Sequence, residues 1–373
     1  MKVLFLTNIP SPYMVDFFNE FGKLCNLTVI FERSDSSERD DSWKKFRFLN
    51  FTGIILKGFN IGVDGAFCPQ VIKYLFKDEY DFTIIANPLT PTGIISIFYL
   101  KLLKRKYIIE SEGGFAKDGK GLKEAFKKLV IKDAFAYFST TTIGDNYFIK
   151  YGADKNRIFK YPFSSIHLED IKEFNYLKAN KQIAKEKLNI KYDIVILSVG
   201  SIIPRKGHDI TLKALQKVNN EKIGLYIVGG KINKELSELI RELKLNNIHF
   251  IDFVDRNKIS DYYAVADIFI LSTRYDTWGL VINEAMANGL PVITTNMCVA
   301  GTELIKNSEN GYIFEVDDYH DLSNKILNLI TNNDLRDIIS KNNLLKIKNY
   351  TINRMATVHF SLLRDLLEMD EVE

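Results

Sequence analysis

The stretch 271–295, LSTRYDTWGLVINEAMANGLPVITT, places two carboxylates eight positions apart, Asp276 on a loop after an apolar run and Glu284 inside a short helical pattern. Glu284 is flanked by Val281, Ile282, Ala285, Met286 and Ala287, and Gly289 closes the helix at its C-terminal end. An acid on so apolar a helix is largely buried, and burying a charge without partners costs on the order of several kcal/mol. It needs hydroxyl or amide donors, and a ribose 2′,3′-diol supplies two. Asp276 can reach sugar hydroxyls, and Gly279 lets backbone N–H groups approach an anion. The plainer alternative is a turn or N-cap role for Asp276 and a local hydrogen bond for Glu284.

A second cluster lies in 197–215, LSVGSIIPRKGHDITLKAL. An apolar run ends at Val199, Gly200 turns the chain, and Pro204-Arg205-Lys206-Gly207 leads into an amphipathic helix. Two adjacent cations on a glycine-flanked loop suit a pyrophosphate, Arg gripping it in bidentate fashion and Lys acting as a point charge. On its own, such a turn is more often solvated surface charge.

The elements that must position these groups follow from alternating short apolar runs and longer amphipathic segments. Strands are expected at 3–7, 27–31, 82–86, 107–111 and 136–139, and again at 194–199, 225–228, 249–251, 268–271 and 292–295. Helical patterns such as 209–218, 234–243 and 280–288 lie between them. Strand–helix–strand repetition means parallel sheets with functional loops at the strand C-termini. The 373 residues suit two α/β domains. We expect 1–165 as an N-terminal, acceptor-side Rossmann-like domain and 166–350 as a donor domain, with a cleft between them. A terminal helix in 351–373 would cross back to the first domain, and the YPF at Tyr161–Phe163 is read as the start of the linker.

Composition excludes several classes. A net charge of +3 gives no reason to propose nucleic acid as a partner. Cys25, Cys68 and Cys298 are too scattered for a disulfide framework or zinc ribbon and fit a reducing cytosol. The five histidines lack metal-ligand spacing. No dinucleotide glycine fingerprint, phosphate-binding Walker loop or G-x-S-x-G is present. The opening MKVLFLTNIP has too short an apolar run for a signal peptide, and no stretch approaches about 20 apolar residues. A cytoplasmic protein is expected, or one peripheral on the inner face of the cell membrane.

Taken in order, Gly200–Gly207 with His208-Asp209, Asp276 to Glu284, GLPVITT and NGYIFEVDD resemble the donor domain of family 4 glycosyltransferases. That family shows G-R-x-x-x-x-K-G, an acidic E-x7-E element and G-x-P-V. The first half, with SEGGF at 111–115, looks like its bacterial surface-polysaccharide branch. The resemblance implies a GT-B fold and a retaining, metal-independent transferase without cofactor. It would move a sugar from a nucleotide diphosphate, UDP favoured, to a glycan or lipid-linked acceptor. Glu284 would bind the ribose and Asp276 the transferred sugar or its developing charge. Backbone groups of Thr277, Trp278, Gly279 and Leu280 would meet sugar and phosphates. Arg205 and Lys206, on the loop opened by Gly200 and Ser201, would neutralise the diphosphate, and Phe253 and Val254 would flank the base. A catalytically silent nucleotide-sugar-binding subunit and a GT-B epimerase are the alternatives.

Three departures from the family stand out. Ser201 replaces an arginine, a loss that Arg205 could offset, and Asp276 is one methylene shorter than the usual Glu. The glycine-rich first loop is replaced by Asn8-Ile9-Pro10-Ser11-Pro12-Tyr13, which two prolines stiffen and deprive of N–H donors. Pro12, Tyr13 and Gly113 are placed on the acceptor side. Glu112 is expected to face the cleft and to position the acceptor or assist its deprotonation, against the alternative of an exposed turn carboxylate. Residues 86–135 carry a net +5, and 122–135 reads as a basic amphipathic helix suited to an anionic membrane, or else as a solvated lysine-rich face.

Overall fold

A computed structural model describes residues 1–34, 47–63, 65–77, 79–116, 119 and 121–370. The chain divides into two compact units, Met1–Ser165 together with Tyr350–Glu373, and Ile166–Asn349.

The first unit opens with β1 (Lys2–Thr7), α1 (Pro12–Phe21), β2 (Asn26–Phe31), β3 (Thr52–Ile55), β4 (Phe59–Ile61) and β5 (Gly65–Phe67). It continues with α2 (Val71–Phe76), β6 (Phe82–Ile85), α3 (Pro91–Leu102), β7 (Ile108–Ser111) and α4 (Leu122–Ile131). β8 (Ala136–Ser139), α5 (Thr142–Lys150) and β9 (Ile158–Lys160) follow. Seven strands make a sheet in the order β3-β2-β1-β6-β7-β8-β9, and β4 and β5 form a separate hairpin. The pairings within the seven-stranded sheet are parallel. Its central strands are buried on both faces, which is why they read as unbroken apolar runs such as Val3-Leu4-Phe5-Leu6.

Two sequence expectations are corrected here. Pro12 does not lie in a rigid loop: with Ser11 as N-cap it begins α1, where its missing N–H has no helical partner to lose. Tyr161 and Phe163 do not begin a linker either. Both are buried in the first unit, and Phe163 packs edge-on against Tyr13 with ring centroids 5.8 Å apart.

The last helix of the chain belongs to this unit. Within it His359 is fully buried among Phe17, Phe21, Phe138 and Tyr161. Its Nδ1 lies 2.8 Å from the Met355 carbonyl and so donates there; Nε2 lies 3.1 Å from Oε2 of Glu110, on β7. The imidazole and carboxyl therefore form a hydrogen-bonded pair in a dry setting. Removing either partner from such a pair costs about 3–5 kcal/mol.

The second unit runs α6 (Phe174–Lys187), β10 (Ile194–Val199), α7 (His208–Val218), β11 (Ile223–Val228), α8 (Lys234–Glu242) and β12 (Ile248–Ile251). α9 (Arg256–Val265), β13 (Ile268–Leu271), α10 (Val281–Ala287), β14 (Val292–Thr295) and α11 (Val299–Leu304) come next. β15 (Gly311–Phe314), α12 (Tyr319–Thr331) and α13 (Asn333–Ile347) complete it, and α14 (Ile352–Asp370) is the terminal helix of the first unit. The sheet order is β12-β11-β10-β13-β14-β15, every pairing parallel. The order reverses beside β10 and β13, and loops at that switch point are where open α/β sheets bind ligands. The motif residues of 200–209 and 272–284 leave the sheet there.

Candidate functional site

After β10 the chain makes a 3-10 turn at Pro204–Lys206, then Gly207 at φ 68° starts α7. A Cβ at Gly207 would sit 2.0 Å from the Ser272 carbonyl oxygen, so only glycine allows this loop to press against the end of β13. The contact is fastened in several places. Ser272 Oγ donates to the Gly207 carbonyl at 2.6 Å, and Thr273 Oγ1 donates to that of Arg205 at 3.0 Å. Arg274 donates to the Pro204 carbonyl at 2.7 Å and forks onto Asp209 at 2.9 and 2.7 Å. Burial alone would raise the Asp209 carboxyl, but the Arg274 guanidinium outweighs it and holds it below the usual range. Arg274, unremarked in the sequence, is thus the clamp of the cationic loop.

The clamp brings three predicted residues together. Lys206 Nζ lies 2.5 Å from Asp276 Oδ2, and the Arg205 guanidinium lies 3.7 Å from the same oxygen while donating to the Tyr275 carbonyl at 2.8 Å. The Lys206 and Asp276 side chains are only 14% and 11% exposed. An ion pair so enclosed is far stronger than one in water, and so is the attraction either partner could offer a ligand of opposite charge. Ser201 is exposed; its carbonyl faces the His208 Nε2 at 3.2 Å. Burial lowers the His208 pKa, so this ring is neutral near pH 7 and donates from Nε2.

Glu284 sits half-buried on α10, where the Tyr263 hydroxyl of α9 donates to its Oε2 at 2.8 Å. Burial, reinforced by the neighbouring carboxylate, pushes the Tyr263 phenol well above its ordinary range, so it remains a donor. Sequence reasoning missed Tyr263, since 21 residues separate it from Glu284 and no spacing links them. Gly279 adopts φ 102°, and a Cβ there would meet Cys298 Sγ at 2.8 Å. The Trp278 ring is buried and donates to Asn283 at 2.8 Å, while its carbonyl accepts from Ala300 N at 2.9 Å and from Cys298 Sγ. Trp278 therefore anchors the loop in the core. Thr277 is exposed and Leu280 half-buried at the start of α10. Phe253 and Val254 lie in the loop between β12 and α9, with Phe253 48% exposed.

In the first unit, Glu112 and Gly113 follow β7. Ser111 Oγ and Gly113 bond to one another, the Glu112 carbonyl accepts from Thr140 at 3.0 Å, and the Glu112 side chain is half-buried. It is thus not the fully exposed turn carboxylate of the plainer alternative. Pro12 and Tyr13 are both half-buried in the first turn of α1. Among the described residues, no three His, Cys, Asp or Glu side chains converge as metal ligands would, and no helix is long and apolar enough to cross a membrane.

This architecture is that of the GT-B glycosyltransferases. A crystal structure of HepE from Anabaena in complex with UDP and glucose superposes with a TM-score of 0.74, covering 98% of this chain and 99% of that one at 17% identity. Residues 180–345 match the family "Glycosyl transferases group 1". An uncharacterized 41.2 kDa protein in the cps region of Klebsiella pneumoniae is 23% identical over 284 residues, 73% of this chain and 75% of its own. The lipopolysaccharide glucosyltransferase WaaG of Escherichia coli is 31% identical over 134 residues, 35% of either chain. The chain therefore has the fold of the GT-B glycosyltransferases, and its residues 180–345 are similar to the group 1 glycosyltransferase domain.

Proposed function

We propose that the protein is a retaining, metal-independent family 4 glycosyltransferase. It would transfer a sugar from a nucleotide diphosphate, UDP favoured, to a glycan or lipid-linked acceptor in surface polysaccharide synthesis. The observation that carries this reading is the enclosed Arg205–Lys206–Asp276 cluster after β10 and β13, together with the Tyr263–Glu284 pair of α9 and α10. An arriving diphosphate takes Lys206 from Asp276, and the freed carboxylate then accepts hydrogen bonds from the sugar hydroxyls. As the C1–O bond breaks, negative charge grows on the leaving phosphate beside Arg205 and Lys206, while the acceptor hydroxyl oxygen bonds to C1 on the same face and gives its proton to that phosphate. These fixed cations stabilise it without reorganising, the role a metal has in other transferases. Glu284, oriented by Tyr263, accepts from the ribose diol. Phe253 and Val254 flank the base, and backbone groups of Thr277, Trp278, Gly279 and Leu280 meet sugar and phosphate. Acceptor positioning is assigned to Glu112, with Pro12, Tyr13 and Gly113 nearby in the first unit. The HepE complex, with UDP and glucose, supports the choice of UDP.

The outer face of α4 supports an acceptor held at a membrane on the cytoplasmic side. Leu122, Phe126 and Leu129, spaced four and three apart, are 91%, 45% and 45% exposed beside exposed Lys123 and Lys128. Apolar side chains flanked by lysines match an anionic lipid surface. Lys127, a third lysine of the 122–135 segment, packs inward, paired with Glu124 and lying over the Tyr151 ring.

Melting shifts with UDP, GDP, ADP and NADH test the donor assignment. A UDP shift that persists in chelator and vanishes in Glu284→Ala is expected. No shift with any nucleoside diphosphate makes a catalytically silent partner subunit the better account. Full turnover of Glu112→Gln with unchanged pH dependence would remove Glu112 from the mechanism.

A further inference from the structure

On the first unit, the loop joining α3 to β7 and the loop joining α4 to β8 line an open cavity of about 440 Å³. Four cations, Lys101, Lys104, Arg105 and Lys106, line it together with Tyr107, Phe135 and a single acid, Asp133. It lies at the end of the sheet where β7 and β8 begin, whereas Glu112 and Gly113 follow the C-terminal end of β7. The cavity is therefore separate from the acceptor side already assigned.

Some of these cations are fixed in place. Lys101 donates to the carbonyls of Leu129 and Lys132 at 2.7 and 2.9 Å, closing the end of α4. Arg105 donates to the carbonyls of Leu75 and Phe76 at the end of α2. Lys106 Nζ lies 5.0 Å above the Phe135 ring. Lys104 is exposed at φ 55°, in the left-handed position that ends a helix, with Arg105 N bonded back to the Leu100 carbonyl and Lys104 N to that of Lys101. Glycine usually fills that position, and the lysine there carries its charge to the surface at the end of the helix.

The lining also holds Tyr107, whose hydroxyl is buried and among the described residues has no hydrogen-bond partner. That hydroxyl is out of reach of solvent, so Tyr107 closes the wall of the pocket and the cations supply the contacts. The rim adds the third part. Leu102 and Leu103, next to Lys104, are 79% and 39% exposed, and Leu129 of α4 is exposed as well.

We propose that this cavity binds the phosphate-monoester headgroup of an anionic lipid, with Lys104 and Lys106 as the selecting cations and Leu102 and Leu103 against the acyl region. A monoester carries close to two negative charges at neutral pH where a diester carries one, so a four-cation cavity distinguishes them. The proposal rests on the membrane reading of α4 and adds a headgroup preference to it.

The test is flotation of the full chain with vesicles containing phosphatidic acid or phosphatidylglycerol at matched surface charge. Binding is expected to be about fivefold tighter to phosphatidic acid, the worth of roughly one well-placed lysine contact. The variant Lys104→Ala/Lys106→Ala should bring that ratio to one. Lys123→Ala/Lys128→Ala on α4 should weaken binding to both lipids and leave the ratio unchanged. Equal wild-type binding to the two lipids, or a ratio untouched by the Lys104/Lys106 variant, overturns the headgroup site and leaves membrane docking standing. Absence of binding to either vesicle overturns both. Thermal stabilisation by inorganic pyrophosphate that is lost in the Lys104/Lys106 variant, without any lipid preference, identifies a soluble anion and overturns the lipid source.

Discussion

Changing Asp276 to Asn should separate nucleotide binding from sugar transfer. The Asp276 carboxylate lies 2.5 Å from the lysine nitrogen proposed to meet the diphosphate. A phosphate oxygen bound by Lys206 would come within about 5 Å of it. At an effective dielectric of about 20, two unit charges at that distance repel by roughly 3 kcal/mol, and solvent at the exposed Arg205 side reduces this to about 1–2 kcal/mol. Asn keeps the shape and removes the repulsion, so UDP should bind about fivefold to thirtyfold more tightly. Transfer should move the other way. Asn accepts hydroxyl hydrogen bonds without charge assistance, and losing one or two such bonds costs about 1.5–3 kcal/mol, a ten- to hundredfold drop in turnover. Lys206→Ala should weaken UDP about tenfold or more. Titration calorimetry with UDP and release of UDP from UDP-sugar are the two assays, with circular dichroism to establish that both variants fold. If Asp276→Asn weakens UDP as much as Lys206→Ala does, the carboxylate serves only to aim the lysine, and the exchange of partners argued here is wrong.

Two further outcomes follow from buried groups. Tyr263→Phe removes the donor to Glu284; stability should fall by about 1.5–3 kcal/mol in urea titration and UDP affinity by roughly tenfold, whereas unchanged UDP binding would mean that Tyr263 does not orient the ribose-binding acid. Glu32, buried behind the β4–β5 hairpin and bonded by Ala66 N and Thr90, has a carboxyl that burial pushes from 4.5 up to about 7. Between those values the folded chain holds a proton the unfolded chain has released, so stability falls as pH rises from 4.5 to 7, by about 3 kcal/mol at most, and the effect is flat on either side. Glu32→Gln, whose amide can donate to Thr90 while its oxygen accepts from Ala66, should abolish that slope in denaturation measured across the range.

The amino-acid sequence by itself determined the features that are local. Buried parallel strands are continuous apolar runs, so most were readable one at a time, and two series of them imply two Rossmann-like sheets. The cationic loop and the acid pair were also legible, because Gly207, Gly279 and Gly289 mark turns of positive φ that other residues rarely adopt. Tertiary structure alone decided which of these groups meet. Lys206 and Asp276 are 70 residues apart and Glu110 and His359 are 249 apart, and no periodicity connects such pairs. The same limit hid Tyr263 and Arg274, whose neighbours come from other strand ends and helices. It also misplaced Tyr161 and Phe163, read as the start of a linker. Both are aromatic side chains that the surrounding packing buries, and an aromatic residue in a short segment carries no local mark of whether it will join two domains or fill a core.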